Sequence, residues 1–369
     1  MVRLFVLLAT LLISLKLDAQ DKQDKRDVLI AVRRAGAIEF IDPKTLSPIS
    51  QLQIDVPPDS TGLNGVLIST DGSTLYVEGP TAPNEKGESG CCYLYSIDLT
   101  TLHAKLVAGI WGSSSRGSLL VADRTVYPLS AVPAKVTDPQ LIGHEWHISP
   151  NGHWLLGIEH QQHVVTVYDL SGGSNARHFE IPGVNDEWWV TGTWLGDKFY
   201  LYAKQGDNTE RLWTISPGTA QLTEGIALSS SNATADCSKF YITEIVAAGE
   251  QLFVAEIFGG KIDRRVGCNK PITGGASIID PRSGQLLGQI TPELYFWSLI
   301  PNESGSELYG LTAEDVDRSS QNPVELVRID THTGRVLQSR LLEGSYWWIT
   351  TAKVLAIPAS HQHIALRSQ

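Results

Sequence analysis

The residues best suited to chemistry in this chain are aromatic, and they recur in clusters from residue 146 onward. The clusters are Trp146, Trp188-Trp189, Phe240-Tyr241, Tyr295-Phe296-Trp297 and Tyr346-Trp347-Trp348. Exposed aromatic faces bind sugars, flat molecules and cations. With the neighbouring carboxylate of Glu187, the candidate ligand-binding residues are Trp146, Glu187, Trp188, Trp189, Tyr241, Trp297, Trp347 and Trp348. Aromatic residues also fill gaps between packed sheets, so a packing role stays open as the alternative.

Histidine is the second residue type that could do chemistry. The candidate metal ligands are His144, His147, His160 and His163. Each pair is three residues apart, and on a β-strand that spacing puts the partners on opposite faces. No metal site and no cofactor are therefore predicted. The chain also contains no Gly-x-Ser-x-Gly elbow, phosphate loop, zinc-protease helix motif or haem-attachment motif.

The first nineteen residues have the features of a signal peptide. Arg3 precedes an apolar stretch over residues 4–15, and Leu17-Asp18-Ala19 is typical of a cleavage site. That stretch is shorter than the roughly 20 residues that a membrane helix needs. We therefore expect an exported protein, periplasmic or secreted, without a transmembrane anchor. Residues 20–369 would form a single domain.

The charge of the chain narrows its choice of partners. The formal net charge is −11 at pH 7. Nucleic-acid binding needs a basic patch, so this acidic chain argues against a nucleic acid partner. A protein partner or a small neutral or cationic ligand remains compatible with the charge.

The elements that must position these residues are predicted to be β-strands in a repeating unit. An apolar strand ending in Asp and followed by a turn recurs at intervals of about 50 residues. The marker positions are Asp42, Asp98, Asp169, Asp280 and Asp330, with Ser216 as a degenerate copy. Turn sequences such as Asp71-Gly72 and Asn151-Gly152 predict hairpins between apolar runs.

This period and the near absence of helical patterns predict an all-β fold, a seven-bladed β-propeller. The third blade would lack the marker and contain the strand pair 118–121 and 125–128. Six blades with one insertion is the alternative. Strands over 27–32 and 37–42 would join strands over 347–350 and 354–357, so that one closing blade is built from both termini.

The repeats resemble those of secreted bacterial YVTN and WD-like propellers. The fourth copy carries the likeness, with Gly143-His144, Ser149-Pro150-Asn151-Gly152 and Tyr168-Asp169. The C-terminal half also resembles the heavy chain of bacterial amine dehydrogenases, in Ser277-Ile278-Ile279-Asp280-Pro281, Leu308-Tyr309-Gly310 and Arg328-Ile329-Asp330. The propeller resemblance implies that the innermost strands start where the central channel opens toward ligands. We call the aromatic clusters at these starts the aromatic collar.

The same resemblance bears on the four cysteines. In the family layout, Cys237 lies in the loop before an innermost strand, and Cys268 lies in a loop of the same blade on the same face. Of three possible pairings, this layout favours Cys237–Cys268 together with the adjacent pair Cys91–Cys92. An exported chain is expected to have such bonds oxidised.

These observations predict an exported propeller that binds a protein partner or small ligand on the face bearing the collar and the long loops. A binding role is favoured over catalysis. One alternative is a scaffold subunit of an amine-dehydrogenase-type oxidoreductase. Another is a lactonase-like hydrolase, for which Asn185, Asp186, Glu187 and Glu244 offer oxygen ligands without a spacing that singles them out.

Overall fold

The protein is described from a computed structural model. It describes residues 25–33, 35–55, 62–63, 65–69, 71–79, 93–109, 119–122, 125–128, 136–137, 145–159, 164–170, 176–182, 190–204, 210–227, 240–258, 273–290, 295–313, 324–344 and 346–365. Within these residues the fold is all β apart from one short 3₁₀ turn at Pro217–Thr219. The predicted all-β class is therefore confirmed.

The described residues contain 28 strands. The first fourteen are β1 Arg26–Arg33, β2 Ala37–Ile41, β3 Pro48–Asp55, β4 Gly65–Ile68, β5 Thr74–Gly79, β6 Tyr93–Asp98, β7 Ala104–Gly109, β8 Leu119–Ala122, β9 Thr125–Pro128, β10 Val136–Thr137, β11 Glu145–Ile148, β12 Trp154–Glu159, β13 Val164–Asp169 and β14 Arg177–Glu180. The others are β15 Val190–Leu195, β16 Lys198–Lys204, β17 Glu210–Ser216, β18 Gln221–Ala227, β19 Phe240–Ala248, β20 Gln251–Phe258, β21 Thr273–Ile279, β22 Leu286–Ile290, β23 Tyr295–Pro301, β24 Glu307–Ala313, β25 Val324–Asp330, β26 Val336–Leu342, β27 Tyr346–Val354 and β28 Gln362–Ala365.

Six sheets contain the four antiparallel strands of a full propeller blade. They are the closing blade (β27, β1, β2, β3, with β28 added outside), blade II (β4–β7), blade III (β11–β14), blade IV (β15–β18), blade V (β19–β22) and blade VI (β23–β26). The predicted hairpin of the third repeat is present as β8 and β9, which form a three-stranded sheet with β10. The described residues thus contain six full blades, as in the six-blade alternative, and seven full blades are not supported.

The closing blade joins both ends of the chain, as predicted. Strand β1 pairs with β27 from Arg26–Val354 to Arg33–Tyr346, and pairs with β2 on its other side. The structure differs from the prediction after β27, because residues 355–361 form no strand and β28 then pairs in parallel with β3. The sheet therefore has five strands, and its outer edge is covered.

In the part of the chain that the structure describes, the hydrophobic core is divided into five clusters, each between two neighbouring blades. Phe40 and Tyr95 belong to the cluster between the closing blade and blade II. Phe199 belongs to that between blades III and IV, and Phe296 to that between blades V and VI. These three phenylalanines and Tyr95 are fully buried. Apolar residues on both faces of a strand are needed in the closing blade and in blades IV, V and VI, because each of these packs against two others.

The marker Asp has a structural role in the turn between the third and fourth strands of a blade. The Asp42 Oδ1 atom accepts from the Thr45 N–H at 2.9 Å and from the Thr45 hydroxyl at 3.1 Å. The same arrangement of an Asp with a Thr or Ser three residues later recurs at Asp98, Asp280 and Asp330. These backbone N–H and hydroxyl donors hold the pKa of all four carboxyl groups below its usual range.

This turn predicts an acid-sensitive stability. A carboxyl group whose pKa is lower in the folded state stabilises the fold above its unfolded pKa of about 4, and this stabilisation is lost as the pH falls through the folded pKa. We expect the melting temperature to fall as the pH decreases from 5 to 3. Replacing the four residues (Asp42, Asp98, Asp280 and Asp330) by Asn should flatten this dependence, because Asn keeps the acceptor oxygen and does not titrate. Asp197→Asn, in an exposed turn, controls for lost charge. An equally steep loss in the fourfold variant would contradict this explanation.

Candidate functional site

The innermost strands of the six blades surround a central channel. Each of these strands pairs with a neighbour on one side only, so its other edge faces the channel. A cavity of about 530 Å³ lies there. Its walls include Leu67, His147, Thr193, Glu244 and Ile300, contributed by five different blades. The described part of the channel is therefore large enough for a small ligand.

The collar aromatics within the described strands lie on innermost strands, near the start of each. Trp146 belongs to β11, Tyr241 to β19, Trp297 to β23, and Trp347 and Trp348 to β27. Their side chains are outside what the structure describes, as are Glu187, Trp188 and Trp189 altogether. The ligand-binding role of these residues therefore stays a prediction.

Three adjacent innermost strands contain a β-bulge within a collar cluster or two residues after it. The pairing register shifts between Ile242 and Glu244 in β19, and between Phe296 and Ser298 in β23. In β27 it shifts around Trp347, which lies between the paired residues Tyr346 and Trp348. Strands β11 and β15 pair without such a shift. Bulges redirect side chains and are common beside functional sites.

Two other aromatic residues of the collar clusters pack between blades. Phe296 is fully buried against blade V. Tyr346 is 7% exposed, and its hydroxyl donates to the Glu39 Oε2 atom at 2.7 Å. The Arg33 guanidinium lies 4.7 Å from the centre of the Tyr346 ring. The packing alternative therefore holds for these two residues.

Glu244 is the acidic side chain in the described wall of the cavity. It is 7% exposed and directly follows the bulge in β19. Its Oε2 atom accepts a hydrogen bond from the Leu299 N–H of blade VI at 2.7 Å. The sequence predicts Glu244 only as an oxygen ligand of the lactonase-like set. One sequence feature could have indicated that Glu244 lines the cavity: it is a charged residue within the mostly apolar stretch from Phe240 to Val246.

His147 also lines the cavity, and its ring packs against a neighbouring blade. The ring is 7% exposed and its centre lies 5.0 Å from that of Phe199 in blade IV. Among the residues that the structure describes, no group of three or more His, Cys, Asp or Glu side chains could hold a metal ion. The other histidine candidates, His144, His160 and His163, lie outside the described residues.

The predicted disulfides concern residues that are likewise not described. Cys91, Cys92, Cys237 and Cys268 all fall in gaps between the described ranges. The same applies to Asn185 and Asp186 of the lactonase-like set. Both pairings stay predictions.

A second cavity of about 790 Å³ opens between blade VI and the closing blade, where the innermost strands end. Arg328 makes a two-pronged ion pair with Glu307 at 2.6 and 2.9 Å, and Tyr309 donates to the same carboxylate at 3.2 Å. The guanidinium holds the pKa of Glu307 below its usual range. Because this pair is satisfied within blade VI, and Arg328 also donates to the Lys44 carbonyl of the closing blade at 2.7 Å, we assign it a structural role.

Comparisons with known proteins identify the fold. No protein-family model matches the chain, and no curated protein matches it. A candidate 6-phosphogluconolactonase from Bacteroides fragilis is 13% identical, with a TM-score of 0.56 over 90% of this chain and 99% of that one. Another from Bacteroides uniformis is 14% identical, with a TM-score of 0.52 over 89% and 100%. No described helix could span a membrane. At these identities the likeness shows the fold alone: the chain is a β-propeller.

Proposed function

We propose that this propeller binds a small neutral or cationic ligand at the collar end of its central channel. The observation that supports the proposal is the set of three bulged innermost strands, whose shifts fall at Thr243, Trp297 and Trp347 beside the channel cavity. Regular propeller packing does not require an irregularity at matching places in adjacent strands. Redirecting the residues at a channel mouth is a known use of bulges.

The chemistry of the described wall favours such ligands over anions. It consists mostly of aliphatic and small polar residues, with Glu244 as its acidic side chain. Lys353 lies at the end of the cavity, and its ammonium is 2.5 Å from the Glu303 carboxylate. A protein partner covering the same face is the other form of this proposal. We also propose that the protein is exported, to the periplasm or outside the cell, after removal of residues 1–19.

Trp297→Ala is expected to weaken ligand binding by about 1–3 kcal/mol without lowering the melting temperature, as for an exposed aromatic contact. Phe296→Ala is the matched control, because Phe296 is fully buried one residue away. It should cost about 3–5 kcal/mol of stability. The ligands tested would be neutral polyols and organic cations, with binding followed by tryptophan fluorescence.

Acrylamide quenching checks the premise before any ligand is found. If all ten tryptophans are shielded from acrylamide, the collar is packing and the proposal fails. A fall in melting temperature for Trp297→Ala as large as that for Phe296→Ala would lead to the same conclusion.

A lactonase-like hydrolase is the second candidate. It is favoured by the presence of His147 and Glu244 in one cavity, since an imidazole and a carboxylate can act as acid and base. A phosphorylated lactone fits poorly, because Lys353 is the only Lys or Arg in the described lining and it pairs with Glu303. The test is hydrolysis of glucono-1,5-lactone by the unmodified protein and by the variant His147→Gln. Hydrolysis that is lost in the variant would favour the hydrolase over the binding protein. No specific observation favours the oxidoreductase scaffold.

A further inference from the structure

The outer strand of blade VI exposes apolar side chains at an open sheet edge. Within the described residues, β26 pairs with β25 alone, whereas the corresponding edge of the closing blade is covered by β28. Of the five large apolar side chains that are exposed in the described residues, three lie on β26: Val336, Leu337 and Leu341. Leu337 is 49% exposed and Leu341 is 62% exposed. An edge of this kind is a template for pairing with another chain.

The two faces of β26 have different surroundings. Gln338 and Arg340 lie toward the closing blade, where both donate to backbone carbonyls. Because side chains alternate along a strand, Leu337, Ser339 and Leu341 share the opposite face. All three are exposed, and exposure alternates with partial burial from Leu337 to Leu341. The closing blade therefore covers one face of β26 and leaves the other face to solvent.

Charged residues protect other outer edges of the ring, but not this one. Strand β7 carries Lys105 at the edge of blade II, and β14 carries Arg177 and Glu180 at the edge of blade III. Such charges oppose pairing between edges. The single charged residue within β26 is Arg340, whose guanidinium lies 2.7 Å from the Glu39 carboxylate of the closing blade. Its charge is therefore neutralised on the covered face.

The sequence around β26 is complementary to itself when two copies run antiparallel. Pairing centred on Ser339 places Leu337 of one copy opposite Leu341 of the other. It also places Arg335, which directly precedes the strand, opposite Glu343, which directly follows it. Each pair occurs twice by symmetry, so leucine meets leucine and guanidinium meets carboxylate. Apolar and oppositely charged cross-strand pairs both stabilise an antiparallel sheet.

The two flanking charges are available for such pairing. Arg335 and Glu343 are both exposed. Neither side chain makes a hydrogen bond or an ion pair within the described residues. A second copy would therefore give each of them a partner without breaking an existing contact.

We infer that two copies of this chain associate through β26, in an antiparallel pair centred on Ser339. The two four-stranded blades then form one continuous sheet across the two-fold axis. Burial of the leucines from both copies drives association, and the paired charges fix the register. The inference is independent of the proposed ligand, because β26 is the outermost strand of its blade and leaves the channel open.

Sedimentation velocity on the full-length protein, over a series of concentrations, measures this association. The buffer should contain about 0.15 M salt, so that the net negative charge of each copy is screened beyond about 8 Å. We expect a dissociation constant of about 100 μM or lower, because a short strand pair forms a small interface. Leu341→Lys should leave only monomer, since lysine protects sheet edges. Val107→Lys, at an exposed apolar position on the outer strand of blade II, is the matched control and should still dimerise.

A charge exchange tests the register. Arg335→Glu and Glu343→Arg each place like charges opposite one another at both ends of the interface. Each variant alone should associate at least about tenfold more weakly than the unmodified protein. An equal mixture of the two should form mixed dimers with the original affinity, because a carboxylate of one variant then faces a guanidinium of the other at both ends. Both positions are exposed, so melting temperatures should stay unchanged.

The outcomes decide the inference at two levels. An unmodified protein that stays monomeric at about 100 μM overturns it. A dimer that persists in Leu341→Lys, or is lost equally in Val107→Lys, shows that the copies meet elsewhere and overturns it too. If both charge variants are monomeric and their mixture does not recover the dimer, the register centred on Ser339 is wrong. Ligand binding at the channel is unaffected by any of these results.

Discussion

Deleting residues 27–42 is expected to abolish cooperative folding, whereas deleting residues 361–369 should leave a folded and less stable propeller. The first deletion removes β1 and β2 from the middle of the closing blade, so that β27 and β3 lose their partners. The fully buried side chains removed with them are Leu29, Ile30, Val32, Ile38, Phe40 and Ile41.

The size of this effect follows from burial. Each large apolar side chain contributes about 1.5–3 kcal/mol when buried. Six of them contribute about 9–18 kcal/mol, which is as large as the 5–15 kcal/mol by which a typical domain is stable. Strand β28 instead contributes four residues at the outer edge, of which Ile364 is buried. Its loss should cost about 1–3 kcal/mol.

Thermal unfolding followed by circular dichroism, with size-exclusion chromatography, distinguishes the two variants. The shorter C-terminal deletion serves as the control, because it also opens an edge of the same sheet. A 27–42 deletion that remains monomeric with an unchanged melting temperature would show that the ring does not depend on its closing blade.

The features that could be predicted from the sequence depend on residues close together in the chain. The Asp turn is one, because Asp42 and Thr45, three residues apart, bond directly to each other. The Asn151-Gly152 hairpin is another: Ser149 and Asn151 bond to each other at 2.6 Å between β11 and β12. The closing blade was also predictable, because each terminus contains too few strands for a blade and the two sets together complete one.

The features that the sequence did not predict depend on contacts between distant segments. Strand β28 is short and mostly exposed, and it forms where β3 offers an open edge. The bulges shift register by one residue, which no periodicity reveals in advance. In β23 the bulge separates two neighbouring collar residues. Phe296 packs in the core, whereas Trp297 lies at the register shift and has no paired residue on β24.

The packing partners of Tyr346 could not be predicted either, because they are distant in the sequence. Glu39, Arg340 and Tyr346 come together although about 300 residues separate Glu39 from the other two. A Glu in the short strand β2 and an Arg in β26 each read as surface residues. Only ring closure buries Glu39 to 7% exposure.

Arg340→Ala is expected to destabilise the protein by about 3–5 kcal/mol, because it leaves a buried carboxylate without its cation. The Arg340 guanidinium donates to the Glu39 Oε1 atom at 2.7 Å and to the Leu46 carbonyl at 3.0 Å. Burial and the Glu39 carboxylate raise the pKa of Tyr346, so its hydroxyl stays a donor. One neutral hydroxyl cannot replace the lost charge.

The matched control is Arg282→Ala, since Arg282 is 83% exposed and lies 3.8 Å from Glu250. An exposed pair of this kind contributes little, so no measurable change is expected. The double variant Glu39→Gln/Arg340→Met should recover most of the loss, because it removes the buried charge together with its partner. Urea unfolding of the three variants measures each free energy. If Arg340→Ala costs no more than Arg282→Ala, Glu39 is hydrated in solution and its ion pair does not stabilise the contact between blade VI and the closing blade.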